Sequence, residues 1–383
     1  MILTDRMTQY ALDLMRIDSL SRMEMDVALK LKADMEELGA ECVFDNSNDK
    51  VNGNVGNLII KLKGNKPEVN PFFLSAHMDT VGPGEGVKPH IEGRVIRSDG
   101  TTILGSDDKS GLAVIVEVLR TLKENDLPHG DIEIAFTICE EVGLLGAKHM
   151  NTSGFKSPYG IVLDSSSPSY LVLQCPSSEI LEFRVYGLEA HAGVCPERGI
   201  NAIKVAGDAI SKMSLGRIDE ETTANLGIIT GGAAVNVVPN CVHIVGEVRS
   251  HSEEKLRTQV DHMRRCFDEA AAHYEIVLDG EKETSRVEEV IERMYEKMDV
   301  SNDSTPARLV NQAVKSLGHA ITPRKIGGGC DANYFNLKGI ECVNLGTGMK
   351  DIHTVNEHLV LEEFYRTADI LLETIQLNAR PTN

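Results

Sequence analysis

The sequence predicts an α/β fold, with a mostly parallel sheet flanked by helices and an α+β domain inserted into it. Three observations carry this expectation. Short apolar runs at 57–62, 72–81, 131–139 and 161–164 alternate with helical segments, the order that builds a parallel sheet covered on both sides. Three of these runs end in chemistry: His77 and Asp79, Glu140 and Glu141, and Asp164. In such sheets a ligand site lies beyond the carboxyl ends of the strands. Between about 179 and 278 the pattern changes to paired strands with two helices, which reads as an inserted unit. At 383 residues the chain is long for one domain and comfortable for two. The division expected is 1–177 with 294–383, and 178–293.

In chain order, Met7, Ala11, Leu12, Leu14 and Met15 give residues 4–17 a helical spacing, and Val27, Leu29, Leu31, Met35 and Leu38 do the same for 25–39. Residues 45–56 are rich in Asn, Asp and Gly and read as a loop. A strand over 57–62 and a Gly-Asn-Lys-Pro turn lead to the Phe72–Val81 run, and glycines at 82–86 break the chain after it. The turn from Gly105 to Gly111 opens a buried helix continuing to about Lys123. Ile132, Ile134, Phe136 and Ile138 alternate, which makes 131–139 a strand. In the middle, 179–186, 225–229, 242–248 and 274–278 read as strands, and 201–213 and 252–273 as helices. Residues 287–298 fit either a helix, through Val287, Val290, Ile291 and Met294, or a strand. Helices at 305–317 and 361–377 flank a strand at 342–345.

The composition is that of an ordinary globular protein, 42% hydrophobic and 25% charged, with an aliphatic core since tryptophan is absent. The formal charge of −19 argues against a nucleic-acid surface, which needs clustered Lys and Arg, and against an anionic membrane. No run approaches the ~20 apolar residues of a membrane span, and the N-terminus lacks a signal peptide's basic start and apolar run. The eight cysteines form no CxxC pair and read as reduced thiols. A cytoplasmic protein is expected.

A two-metal hydrolase needs nitrogen and oxygen ligands with an open position, a bridging carboxylate, and a further carboxylate to take a proton from water. The candidate ligands are His77, Asp107, Glu141, Asp164 and His353. His77 and Asp79, two apart on a strand, point to one side, so the acid can orient the imidazole. Asp107 stands in a glycine-flanked turn. Glu140 and Glu141 are adjacent at a strand end, so one can bind metal while the other holds water. Each piece also has a plainer use. Asp107-Asp108 can cap the following helix, Glu140-Glu141 can be solvated charge, Asp164 a turn acid, and His353 one histidine among twelve.

Taken together, His77-Met78-Asp79, Gly105-Ser106-Asp107-Asp108-Lys109-Ser110-Gly111, Glu140-Glu141, Asp164 and Ile352-His353-Thr354 resemble the signature of the dizinc exopeptidase family. That family includes peptidase T, glutamate carboxypeptidase, aminoacylase and succinyl-diaminopimelate desuccinylase. Residues 98–105 and 215–225 are most similar to its peptidase T-like branch. The resemblance implies two divalent ions, zinc by expectation. His77, Asp107 and Asp164 would serve one, and Asp107, Glu141 and His353 the other. Glu140 would act as general base and later as acid, and Asp79 would orient His77. The bond after Asp107 is often cis in the family.

The resemblance also makes 178–293 a lid, through which the chain could form a homodimer. In the lid, Gly187–Gly193 is similar to a family motif whose histidine, here His191, would stabilise an oxyanion. Asn236 and Arg249 would hold carboxylate or carbonyl groups of the substrate. Gly328 and Gly329, in a loop similar to the family's glycine loop, would lie against the substrate backbone; Cys330 departs from the Ser or Thr expected there. The activity implied is hydrolysis of short peptides in the manner of a tripeptide aminopeptidase. Deacylation or desuccinylation of N-acyl amino acids, and carboxypeptidase cleavage, are the alternatives within the family.

Overall fold

Three neighbouring parallel strands bring His77, Glu140 with Glu141, and Asp164 to the carboxyl end of a sheet. In the computed structural model, which describes residues 1–380, the chain divides into two units. One holds Met1–Cys175 and the chain from Met298 onward, the other Pro176–Lys297. The main sheet of the first unit runs in the order Glu41–Phe44, Leu58–Leu62, Ile132–Thr137, Phe72–His77, Tyr159–Ser165, Glu341–Gly346, Tyr170–Cys175 and Met298–Asp299. Thr322–Lys325 also pairs with Tyr170–Cys175. The four central strands, Ile132–Thr137 through Glu341–Gly346, are parallel to one another. The mostly parallel α/β class expected from the sequence is therefore the one observed.

Phe72–His77 and Ile132–Thr137 are buried along their whole length. Alternate residues of a strand face opposite sides, so both sides of the sheet are covered. The charged member of the second strand, Glu133, is satisfied by the Lys156 and Ser157 amides and the Ser157 hydroxyl at 2.7–2.8 Å. The long helix Ser106–Glu124 packs against the sheet and is buried over most of its length. It begins earlier than the sequence indicates, with Asp107 and Asp108 in non-helical conformation inside its first turn. Gly111 is required by this packing. A Cβ there would stand 2.5 Å from the Leu163 carbonyl oxygen and 2.4 Å from Asp108 Oδ1. Glycine thus lets the helix close on the strand that carries Asp164.

A small antiparallel sheet, Met349–Lys350, His358–Val360, Val95–Arg97 and His90–Glu92, was not legible in the sequence because its strands are two or three residues long. It matters because Lys350 pairs with His358, which closes a loop holding His353. Tyr170–Cys175 was also missed. It follows the Asp164 strand by a short turn and pairs between Glu341–Gly346 and Met298–Asp299.

The second unit is a five-stranded antiparallel sheet in the order Gly216–Arg217, Thr222–Gly231, Cys241–Ser250, Ser177–Tyr186, Arg286–Tyr295. Leu181, Phe183 and Val185, at period two, pack with Val242, Ile244 and Val248 against the helices Ala202–Ser211 and Glu253–His273. Phe183 and Phe267 stack at 4.3 Å. Ser252 and Asn201 cap the two helices through their side chains, as expected of such residues before an apolar run. The ambiguous stretch at 287–298 is the strand Arg286–Tyr295. Val287, Glu289 and Ile291 share its inner face, and Glu289 pairs with Arg264 of the long helix at 2.8–2.9 Å. The charge between two apolar residues disguised a period of two as a spacing of four. Among the described residues no helix is long and apolar enough to cross a membrane.

Candidate metal centre

His77 ends its strand and is 2% exposed. Its Nδ1–H donates to the main-chain carbonyl of Asp79 at 2.8 Å, and the Asp79 carboxylate stands 3.5 Å away. The orienting group is therefore chiefly the Asp79 backbone, where the sequence suggested its side chain. The carboxylate holds the next strand end instead: it accepts the Glu140 amide at 2.9 Å, the Glu141 amide at 3.2 Å and the Ser21 hydroxyl at 2.6 Å. A donor at Nδ1 leaves Nε2 of His77 for the site, where it lies 3.0 Å from Asp107 Oδ1.

Asp107 arrives from the turn before the long helix, and the Asp107–Asp108 peptide is cis. Asp108 accepts the Gly111 amide at 3.1 Å and the His77 amide at 3.2 Å. Of the two adjacent acids, Asp108 therefore takes the capping role and Asp107 the site. His353 Nε2 lies 3.3 Å from Asp107 Oδ2 and 2.9 Å from Glu141 Oε2. Donor atoms of three sets lie within 4.8 Å of one another: His77, Asp107 and Asp164; Asp107, Glu141 and His353; and His77, Glu140 and Glu141. All five candidate ligands are thus brought together, with Glu140 beside them.

The electrostatics suit a cation. Burial raises the Asp164 pKa well above the usual carboxylate value, and the charge of Asp107 raises it further. Burial does the same to Glu140, followed by the charge of Asp164. Burial lowers the His77 pKa, but hydrogen bonds to Asp107 and Asp79 outweigh it and hold the imidazole well above its ordinary value. Hydrogen bonds to Asp107 and then Glu141 lift His353 to about 10. Two imidazoles and three carboxylates, running from buried His77 and Asp107 to exposed His353, form the nitrogen–oxygen donor set that zinc and similar divalent ions take.

The expected substrate residues are more scattered. His191 and Asn236 belong to the second unit and are exposed. They are neighbours there, since His191 bridges to Val237 and the Ala192 amide donates to the Asn236 carbonyl at 2.9 Å. Arg249 is not grouped with them. It lies eight residues beyond Cys241 on the same strand, about 27 Å along it, and pairs with Glu247 at 2.9 Å. Gly328 and Gly329 lie in the first unit, in the loop before the helix Ala332–Leu337. That loop is tied to the strand leading to Glu140, because Thr137 donates its hydroxyl to Asp331.

Two site-supporting acids escaped the sequence reading. Glu24 is fully buried and accepts the Cys139 amide at 3.1 Å; burial, then the charge of Asp79, lifts its pKa to about 7. Glu357 accepts four hydrogen bonds from residues 104–107. Glu357 acts on residues some 250 positions away, and Glu24 joins the nearby Arg22 amide, at 2.9 Å, to the distant Cys139 amide.

A parallel sheet with a dinuclear nitrogen–oxygen donor set at its carboxyl edge defines a class, the metal-dependent hydrolases of the α/β type. Residues 73–377 match the model of peptidase family M20/M25/M40, and the chain belongs to that family. It is 40% identical to the uncharacterized protein YqjE of Bacillus subtilis (strain 168), over 99% of this chain and 100% of that one. Among solved structures it is similar to the aminopeptidase PepT from Bacillus cereus ATCC 10987, with 37% identity, a TM-score of 0.86 and coverage of 99% and 100%. It is likewise similar to a tripeptidase from Staphylococcus aureus subsp. aureus mu50, with 35% identity, a TM-score of 0.92 and full coverage of both chains. The resemblance read from the motifs, to the peptidase T-like branch of this family, is thereby borne out.

Proposed function

We propose that the chain is a dizinc aminopeptidase that removes the N-terminal residue from tripeptides. The observation that carries this reading is that Asp107 belongs to two donor sets at once, one with His77 and Asp164, the other with Glu141 and His353. A carboxylate shared in this way is what two ions ~3.5–4 Å apart require. The full-length similarity to PepT and to a tripeptidase supports the substrate class.

Bound ions would supply Lewis acidity at the scissile carbonyl and acidify water beside it. The remaining steps fall to the chain's own groups. Glu140 takes the proton of the attacking water and returns it to the departing amine nitrogen. Burial and the charge of Asp164 raise the proton affinity of this carboxylate, which favours the first transfer once it is ionised. Asp79, by accepting the Glu140 and Glu141 amides, fixes the backbone from which both carboxylates reach the site. His77 is held by the Asp79 carbonyl with Nε2 directed to the site. We assign His191 to the oxyanion and Asn236 to a carbonyl or carboxylate of the substrate, and Gly328 and Gly329 to its backbone. The motif resemblance supports these four.

The test is a panel of tripeptides, dipeptides and N-acyl amino acids offered to metal-reconstituted protein. Tripeptides should lose their N-terminal residue fastest. Exclusive turnover of N-acyl amino acids, or release of the C-terminal residue, would contradict the assignment.

Metal loading should also release protons. With a pKa of about 10, His353 in the metal-free protein carries a proton at pH 7, held between Asp107 and Glu141. A ligating imidazole must give that proton up. The proton therefore competes with the metal, and apparent affinity should rise with pH up to about 10. Zinc titrated into weakly buffered metal-free protein at pH 7 should release at least one proton per chain from this residue. No release would remove His353 from the ligand set.

A further inference from the structure

We propose that Glu357 is a positioning residue that fixes Asp107 relative to His353, and so sets the divalent-ion affinity of the donor set they share with Glu141. The inference rests on the dimetal reading above.

Glu357 is 1% exposed. Its Oε2 accepts the Leu104 and Gly105 amides, each at 2.8 Å, and its Oε1 accepts the Ser106 hydroxyl at 2.6 Å and the Asp107 amide at 3.0 Å. Donors from four consecutive residues thus converge on one carboxylate. Gly105, at φ +73°, supplies the left-handed turn that gathers them, the kind of concave amide nest that binds an anion. Bonds from neutral donors to a charged acceptor are the stronger kind, so the Asp107 backbone is held on its N-terminal side by a dedicated group.

The other end of Glu357 belongs to the turn that carries His353. Its own amide donates to the Thr354 carbonyl at 3.1 Å. Thr354 donates its hydroxyl to the Asp351 carbonyl at 2.7 Å and accepts the Asn356 amide at 3.2 Å. Pairing of Lys350 with His358 closes the loop. Asp351 and His353 both sit at positive φ, +50° and +63°. The turn is therefore tightly specified, and His353 is four residues from the carboxylate that grips the Asp107 turn. The 3.3 Å separation of His353 Nε2 and Asp107 Oδ2 is bridged by this short covalent stretch and four hydrogen bonds. Glu357 touches no reacting atom in this account. It acts through Asp107 and His353, in the manner of outer groups that orient metal ligands.

The test measures zinc affinity for each equivalent, by competition with a chromogenic chelator, in the full-length parent, Glu357→Gln and Ser106→Ala. Glutamine keeps the size but turns an NH2 group toward donors. The parent should bind two equivalents. In folded Glu357→Gln the weaker equivalent should lose affinity by about 10–100-fold, and in Ser106→Ala severalfold in the same direction. The thermal midpoint of metal-free protein reports the fold separately. If Glu357→Gln does not yield folded protein, the Ser106→Ala affinity decides. Parental affinity for both equivalents in the deciding variant overturns the proposal. Fewer than two equivalents in the parent would overturn the dimetal reading itself.

Discussion

Replacing Glu140 with alanine is expected to lower kcat by about 10²–10⁴-fold, the usual contribution of a positioned general acid–base group, while zinc content stays at the parental level. Two features support this outcome. Glu140 is 8% exposed and lies beside Asp164, so burial and a neighbouring negative charge both favour its protonated form. Its amide is fixed by Asp79, so its place depends on the backbone and survives loss of the side chain. The structure also offers a rival. His77, Glu140 and Glu141 form a donor set of their own, in which Glu140 would be a ligand. Metal content separates the two roles. Parallel loss of zinc and activity would make Glu140 a ligand, and turnover within tenfold of the parent would remove it from the mechanism. Glu140→Gln, which fills the same volume, guards against a cavity effect.

Replacing His353 is expected to lower the zinc content toward one equivalent per chain and to remove most of the activity. His353 is the one imidazole of its set, and Nε2 reaches both Asp107 and Glu141 at 2.9–3.3 Å. Without it the set retains two carboxylates and no nitrogen. The choice of substitution matters, since His353 lies at φ +63°. Alanine there carries a backbone cost of roughly 1–2 kcal/mol, whereas asparagine tolerates the left-handed region. His353→Asn therefore isolates the loss of the imidazole, and His353→Ala adds a local destabilisation seen in the thermal midpoint. A full complement of two zinc ions in His353→Asn, measured by elemental analysis, would strike His353 from the ligand set.

Part of this centre is marked in the sequence itself. Four of the five candidate ligands stood out because each sits in a short local signal, whereas His353 stood out only through the motif resemblance. His77 and Asp79 close an apolar run, Asp107 occupies a glycine-flanked turn, and Glu140 with Glu141 and Asp164 end strands. The parallel sheet then needs only to align its carboxyl ends to gather them, as the register of His77 opposite Thr137 does. The supporting acids were illegible for the converse reason. Glu357 does its work on groups far along the chain, and the part of Glu24 that bears on the site, its bond to the Cys139 amide, is likewise distant. The part of the Asp79 carbonyl in holding His77 was not legible, because sequence gives a side chain's direction and leaves a carbonyl's acceptor role unseen. Arg286–Tyr295 was ambiguous because Glu289 occupies an inward position, where it is satisfied by Arg264.

The central claim is a pair of ions sharing Asp107. It is tested most directly by anomalous diffraction at the zinc edge from crystals of metal-reconstituted protein. The account predicts two peaks per chain about 3.5–4 Å apart, flanking Asp107, one beside His77 and Asp164 and the other beside Glu141 and His353. A single peak, or peaks not bridged by Asp107, would contradict it.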